Sequence, residues 1–121
     1  MARKVQEMTV FILSCGEEYA LLKRPNKGLL AGLWEFPNVC EKLDLPSAMA
    51  YLMGTEVAVR GIYRQVEKKH IFTHIEWKMT GFYFEIGSKC SDFVWMSRDE
   101  IDKKAALPTA FRQFWEDIGY V

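Results

Sequence analysis

The residues best suited to chemistry lie in one short stretch, His70-Ile71-Phe72-Thr73-His74. An aromatic ring such as Phe72 can wedge beside a nucleobase or stack on it. The Thr73 hydroxyl can both donate and accept a hydrogen bond. A paired donor and acceptor is what discrimination between similar base edges demands. The competing account is a β-hairpin in which Phe72 is only core and Thr73 only a good strand former. His70 and His74 are four apart, a spacing that puts both on one face of a strand. No third metal ligand accompanies them. Polar partners in a loop, or half-buried hydrogen-bonded imidazoles, fit them better than a metal pair.

The surrounding segment, 57–78, carries Arg60, Arg64, Lys68, Lys69 and Lys78 against Glu67 and Glu76. Such a locally basic stretch can border nucleic-acid phosphates, with Lys68 and Lys69 nearest the polar loop. An ordinary solvated strand face is the alternative. Lys23, Arg24 and Lys27 form a second, weaker cluster. The three cysteines, at 15, 40 and 90, are far apart and make no Cys-x-x-Cys. Zinc-ribbon and iron–sulfur sites therefore lack local support. Small thiols in a reducing compartment are the simpler reading.

These residues must be positioned by a chain of 121 residues, a length that fits one domain over 1–121. A chain of this size buries roughly two-thirds of its unfolded surface, so it needs no metal or disulfide, and a monomer is expected. Sixteen basic residues balance sixteen acidic ones. That argues against binding nucleic acid by bulk charge. No apolar run approaches the roughly 18 residues that span a bilayer, and the first residues lack a signal peptide's apolar core. A cytoplasmic protein that binds no membrane is expected.

The pattern predicts strands at 8–15 and 19–23 joined at Gly16, then a Gly- and Pro-broken stretch, 24–38. Leu29, Leu30, Leu33, Trp34 and Phe36 are too apolar for a solvated loop. This stretch should lie on the core and end in a short strand at 34–36. Asp44, with Pro46 following, predicts a helix through Met53 that stops at Gly54. Segments 57–66, 70–86 and 93–96 read as strands. Ser97 and Glu100 form a capping box. Pro108 opens a final helix through Ile118, closed by Gly119, with Phe111, Phe114, Trp115 and Ile118 on one apolar face. The order predicts an α+β domain, a mixed β-sheet packed by helices.

Three stretches, taken together, carry a resemblance. They are Arg24-Pro25 with Gly28-Leu29-Leu30-Ala31-Gly32-Leu33-Trp34-Glu35-Phe36-Pro37, then His70 through Trp77, then Ala106-Leu107-Pro108-Thr109-Ala110-Phe111. In this order they resemble the C-terminal domain of the MutY family of A/G-specific adenine DNA glycosylases. The resemblance covers about Thr9 to Phe114. It implies a Nudix-like fold and a role in base excision repair. Such enzymes remove adenine misincorporated opposite 8-oxoguanine. By the resemblance, the C-terminal domain recognises the oxidised guanine in double-stranded DNA. The catalytic carboxylates and a 4Fe-4S cluster belong to an N-terminal helical domain. The chain then looks like a lesion-recognition domain excised from a longer glycosylase, with that N-terminal domain as its natural partner. A bacterial-type setting at the nucleoid is implied, with no cofactor in this domain. Phe72, Thr73 and His74 stand where the family loop usually reads Phe-Ser-His.

The resemblance also supplies a rival, a free-standing Nudix pyrophosphohydrolase acting on oxidised nucleotides. Its activity needs a helix bearing Arg-Glu-x-x-Glu-Glu, because Mg²⁺ on a pyrophosphate takes several carboxylate oxygens. The matching segment here, 44–56, has Asp44 and Glu56 at its ends and no acid between. A non-catalytic domain is expected.

Overall fold

The computed structural model describes residues 3–118. It begins with a long strand, β1 (Lys4–Cys15), whose stretch from Met8 to Leu13 is buried on both faces. Met8, Val10 and Ile12 point into one core; Phe11 and Leu13 point into a second. Burial on both sides is why this run is continuously apolar rather than alternating. Gly16, at φ +62, supplies a left-handed turn conformation at no steric cost and reverses the chain into β2 (Glu18–Lys23). Two short strands follow: β3 (Trp34–Glu35) pairs with β2, and β4 (Asn38–Val39) pairs with β1.

Helix α1 (Leu45–Met53) starts as expected: the Asp44 side chain accepts from the Ser47 N–H at 2.9 Å, and Gly54 caps the end. The chain then makes its longest hairpin, β5 (Val59–Ile71) and β6 (Ile75–Ile86). A last strand, β7 (Val94–Ser97), runs into α2 (Arg98–Lys104) through the Ser97/Glu100 capping box. The final helix is α3 (Thr109–Glu116), with Pro108 as its N-cap.

The sheet order is β3-β2-β1-β6-β5, with β4 on β1 and β7 on β2. β1 and β6 are parallel and the other pairs antiparallel, so the sheet is mixed as expected. One face packs against α2 and α3 through Trp77, Met79, Ile101, Phe111, Phe114 and Trp115. The other packs against α1 through Phe11, Phe82, Phe84, Ala48 and Leu52. Gly81 of β6 leaves room for α3: a Cβ there would lie 2.5 Å from the Phe114 ring. The buried Tyr83 hydroxyl donates to the Phe114 carbonyl at 2.8 Å, and burial raises its pKa above the usual phenol value. No helix among the described residues is long and apolar enough to cross a membrane.

The structure corrects several boundaries. β1 begins at Lys4, four residues earlier than its apolar run, because the parallel ladder to β6 holds its polar end. β5 runs straight through Glu67-Lys68-Lys69, which lie between the strands expected at 57–66 and 70–86. As an edge strand it is largely exposed, so its polar residues need no burial. The turn falls at 72–74 instead. His70 and His74 therefore do not share the face of one strand: His70 is in β5 and His74 in the turn. β4 was not anticipated. α3 ends at Glu116 rather than Ile118, and the expected stop at Gly119 lies outside the described residues.

Candidate nucleic-acid interface

The β5–β6 hairpin presents Phe72-Thr73-His74 at its tip. Cross-strand pairing continues up to Ile71 opposite Glu76, and the Phe72 N–H donates to the Ile75 carbonyl at 2.7 Å. The Lys4 N–H, at the start of β1, donates to the His74 carbonyl at 3.0 Å. The tip is thus tied to a third strand. Thr73 and His74 are exposed; Phe72 is half-buried.

Phe72 is held by aromatic neighbours. Its ring meets His70 edge-on at 4.7 Å and Trp77 edge-on at 4.9 Å between centroids. Trp77, buried, lies 5.8 Å from Phe111 of α3. The tip is therefore connected through three aromatic rings to the core. Trp77 is itself fixed by two polar contacts. Its indole N–H donates to Gln6 Oε1 at 2.9 Å, and the Arg24 guanidinium stands 5.4 Å from its ring centroid. Arg24 also donates to Glu35 Oε1 at 2.6 Å and to the Leu29 carbonyl at 3.0 Å. The same Glu35 oxygen accepts from Asn38 Nδ2 at 2.7 Å. This network anchors the 24–33 loop, and Leu29, Leu30 and Trp34 pack on the core as expected. Leu33 is the exception and stays exposed. A cleft of about 290 Å³ opens beside Trp77 and Ile75, floored by Met8 and walled by Arg24, Leu29 and Glu35.

The two candidate lysines part company. Lys68 is opposite Met79, so it lies on the α3 side of the sheet, where its Nζ is 2.8 Å from Asp117 Oδ2. Lys69 points to the other side and is directly opposite Lys78. Its carbonyl accepts from Gln113 Nε2 at 3.3 Å. The structure thus gathers His70, Phe72, Thr73 and His74 at one end of the hairpin and separates Lys68 from Lys69. The Trp77 brace and its Arg24 contact were missed by sequence reasoning. Placing the turn at 73–74 would have found the brace, because it makes His70 and Trp77 cross-strand partners.

Helix α1 itself carries no acidic residue, and two acids flank it. Asp44 caps the helix, and the Ser47 N–H holds its carboxyl below the usual carboxylate range. Glu56 is exposed in the turn beyond the helix. Among the described residues no three His, Cys, Asp or Glu side chains are grouped as metal ligands would be.

Comparison with known proteins fits this geometry. Residues 9–117 match the NUDIX domain family. An adenine DNA glycosylase of Arabidopsis thaliana is 38% identical across an alignment of 79 positions, taking in 53% of this chain and 12% of that protein. The chain therefore spans a small part of that relative's length. The C-terminal domain of mouse MUTYH, solved in complex with human PCNA, has the same fold: TM-score 0.73, 20% identity, 93% of this chain and 88% of that one. A MutT NUDIX hydrolase from Burkholderia pseudomallei gives TM-score 0.67 at 17% identity, over 97% of this chain and 100% of the other. The MutT protein of Methanosarcina mazei gives 0.63 at 22%, over 97% and 94%. The chain belongs to the Nudix domain family, and within that fold it resembles the C-terminal domain of MutY-type adenine DNA glycosylases.

Proposed function

We propose that this chain is the non-catalytic lesion-recognition domain of a MutY-like adenine DNA glycosylase, and that its hairpin tip reads 8-oxoguanine opposite adenine in duplex DNA. The observation that carries this reading is the tip itself: an exposed hydroxyl and imidazole on a turn held rigid by the Phe72–Trp77–Phe111 rings. Its setting, a chain 38% identical over the aligned region to an adenine DNA glycosylase, adds support.

8-Oxoguanine differs from guanine by a carbonyl acceptor at C8 and a donor at N7. The Thr73 hydroxyl can meet either group. One hydrogen bond is worth about 0.5–1.5 kcal/mol, and an unpaired partner costs more. That is enough for several-fold discrimination only if the hydroxyl is held in register, which is the part given to Phe72. Base removal is then the task of a separate glycosylase domain, with its own carboxylates and iron–sulfur cluster.

The hydrolase alternative needs several carboxylate oxygens on α1 to hold Mg²⁺. The residues there do not fit that ion: Asp44 is engaged as a cap, and no acid follows before Glu56.

The test compares the affinity of this chain for matched duplexes carrying 8-oxoguanine or guanine opposite adenine. Tighter binding to the oxidised duplex, reduced by Thr73→Val, is expected. Equal affinity for the two duplexes would contradict the reading.

A further inference from the structure

We propose that Lys69 and Lys78 together form a seat for a backbone phosphate of nucleic acid, on the α1 side of the sheet; this rests on the DNA-binding reading above and adds the path of the strand. The two lysines are direct cross-strand partners. Like charges placed opposite one another destabilise a sheet. The usual remedy, an ion pair, is not used. Neither ammonium is paired among the described residues, whereas Lys42 stands 4.0 Å from Glu67 and Lys68 2.8 Å from Asp117. Glu7 is in register with Lys78 on its other side but makes no ion pair with it.

The pair opens onto a cleft of about 400 Å³, whose other walls are Glu7, Lys42, Glu67, Lys68, Met79 and Thr80. The cleft is concave, and of its charges outside ion pairs two are positive, Lys69 and Lys78, against one negative, Glu7, so it keeps a positive excess to offer a phosphodiester. The backbone beneath is fixed, since the Lys69 carbonyl is held by Gln113 of α3. Position along the hairpin also fits. Lys69 is three residues before Phe72 and Lys78 four after His74, so at about 3.3 Å per residue the seat lies roughly 10–13 Å behind the tip. Phosphate contacts of this kind fix register, and base contacts at the tip specify. Lys68, one residue away in sequence, also lines the cleft, but its ammonium is engaged by Asp117 and takes no part.

The experiment measures binding of this chain to a short undamaged duplex over a range of salt concentrations. Each neutralised phosphate adds about −0.9 to the slope of log affinity against log salt. Lys69→Ala and Lys78→Ala should each make the slope shallower by about one unit. Lys68→Ala should leave it unchanged, and Lys78→Arg should retain it. Thermal unfolding of each variant shows whether the chain is still folded; loss of one opposed lysine should not lower the midpoint. The proposal is overturned if the unaltered chain shows no salt-dependent binding at low ionic strength. It is also overturned if neither lysine alters the slope, or if Lys68→Ala alters it as much. Because the duplex is undamaged, failure of lesion discrimination at Thr73 would leave this result standing. Conversely, failure of the seat would leave the affinity ratio between damaged and undamaged duplexes intact.

Discussion

Phe72 and Trp77 meet edge to face across the β5–β6 hairpin, with ring centroids 4.9 Å apart and planes at 73°. One is at the exposed end of the hairpin and the other is buried in the core. The contact makes the tip an extension of the core rather than a free loop. Aromatic pairs in this geometry contribute about 0.5–1.5 kcal/mol beyond their burial.

Phe72→Leu should therefore cost about 1 kcal/mol, and Phe72→Ala about 1–3 kcal/mol, less than a fully buried ring because Phe72 is half-exposed. Denaturant unfolding midpoints give both numbers. A loss near zero for Phe72→Ala would mean that the ring braces nothing.

The contact between β6 and α3 is tighter still. A Cβ at Gly81 would lie 2.5 and 2.7 Å from two carbons of the buried Phe114 ring. Gly81→Ala should destabilise by about 1–3 kcal/mol through overpacking. Trp115, 6% exposed, should cost about 3–5 kcal/mol when cut to Ala. Unfolding by urea distinguishes these from a neutral result, which would place α3 elsewhere.

Two carboxylates make stability depend on acid. Asp44 is held below its ordinary value by the Ser47 N–H, and Glu100 below its own by the Ser97 N–H. The folded chain therefore binds protons at these groups less readily than the unfolded chain. Their contribution is complete above the unfolded values and fades as pH falls through the folded ones. The thermal midpoint should drop below about pH 4, and Asp44→Asn, which still caps but does not titrate, should flatten part of that drop. A midpoint insensitive to acid in this window would refute the assignment.

The α1 sequence bears on catalysis. With Mg²⁺ or Mn²⁺ present, the chain should release no phosphate or pyrophosphate from 8-oxo-dGTP, and EDTA should leave its unfolding midpoint unchanged. Metal-dependent release that disappears in Glu56→Ala would restore the hydrolase reading.

Local signals in the sequence were legible. Ser97 and Glu100 form the capping box their spacing announced, and Asp44 and Gly54 bound α1 where expected. These features are decided within a few residues. The parallel pairing of β1 with β6, between residues about seventy apart, is not, and nothing in either strand's pattern encodes it. The turn at Thr73-His74 has no Gly, Pro or Asn to mark it. The charged run Glu67-Lys68-Lys69 looked like a break because an edge strand tolerates charge on both faces. That one misplacement hid two relationships at once, Trp77 behind Phe72 and Lys78 opposite Lys69.

Thr73, at the hairpin tip, is the residue proposed to discriminate 8-oxoguanine from guanine. The measurement that bears on it is the ratio of adenine excision opposite 8-oxoguanine to that opposite guanine, with this domain joined to a MutY-type glycosylase domain. Thr73→Val keeps the shape and removes the hydroxyl, so the ratio should fall, chiefly through slower excision opposite 8-oxoguanine. Thr73→Ser should retain the ratio. Phe72→Ala should lower it further, and Phe72→Leu, which spares more of the packing, separates register from stability. An unchanged ratio in stably folded Thr73→Val and Phe72→Ala proteins would contradict the account.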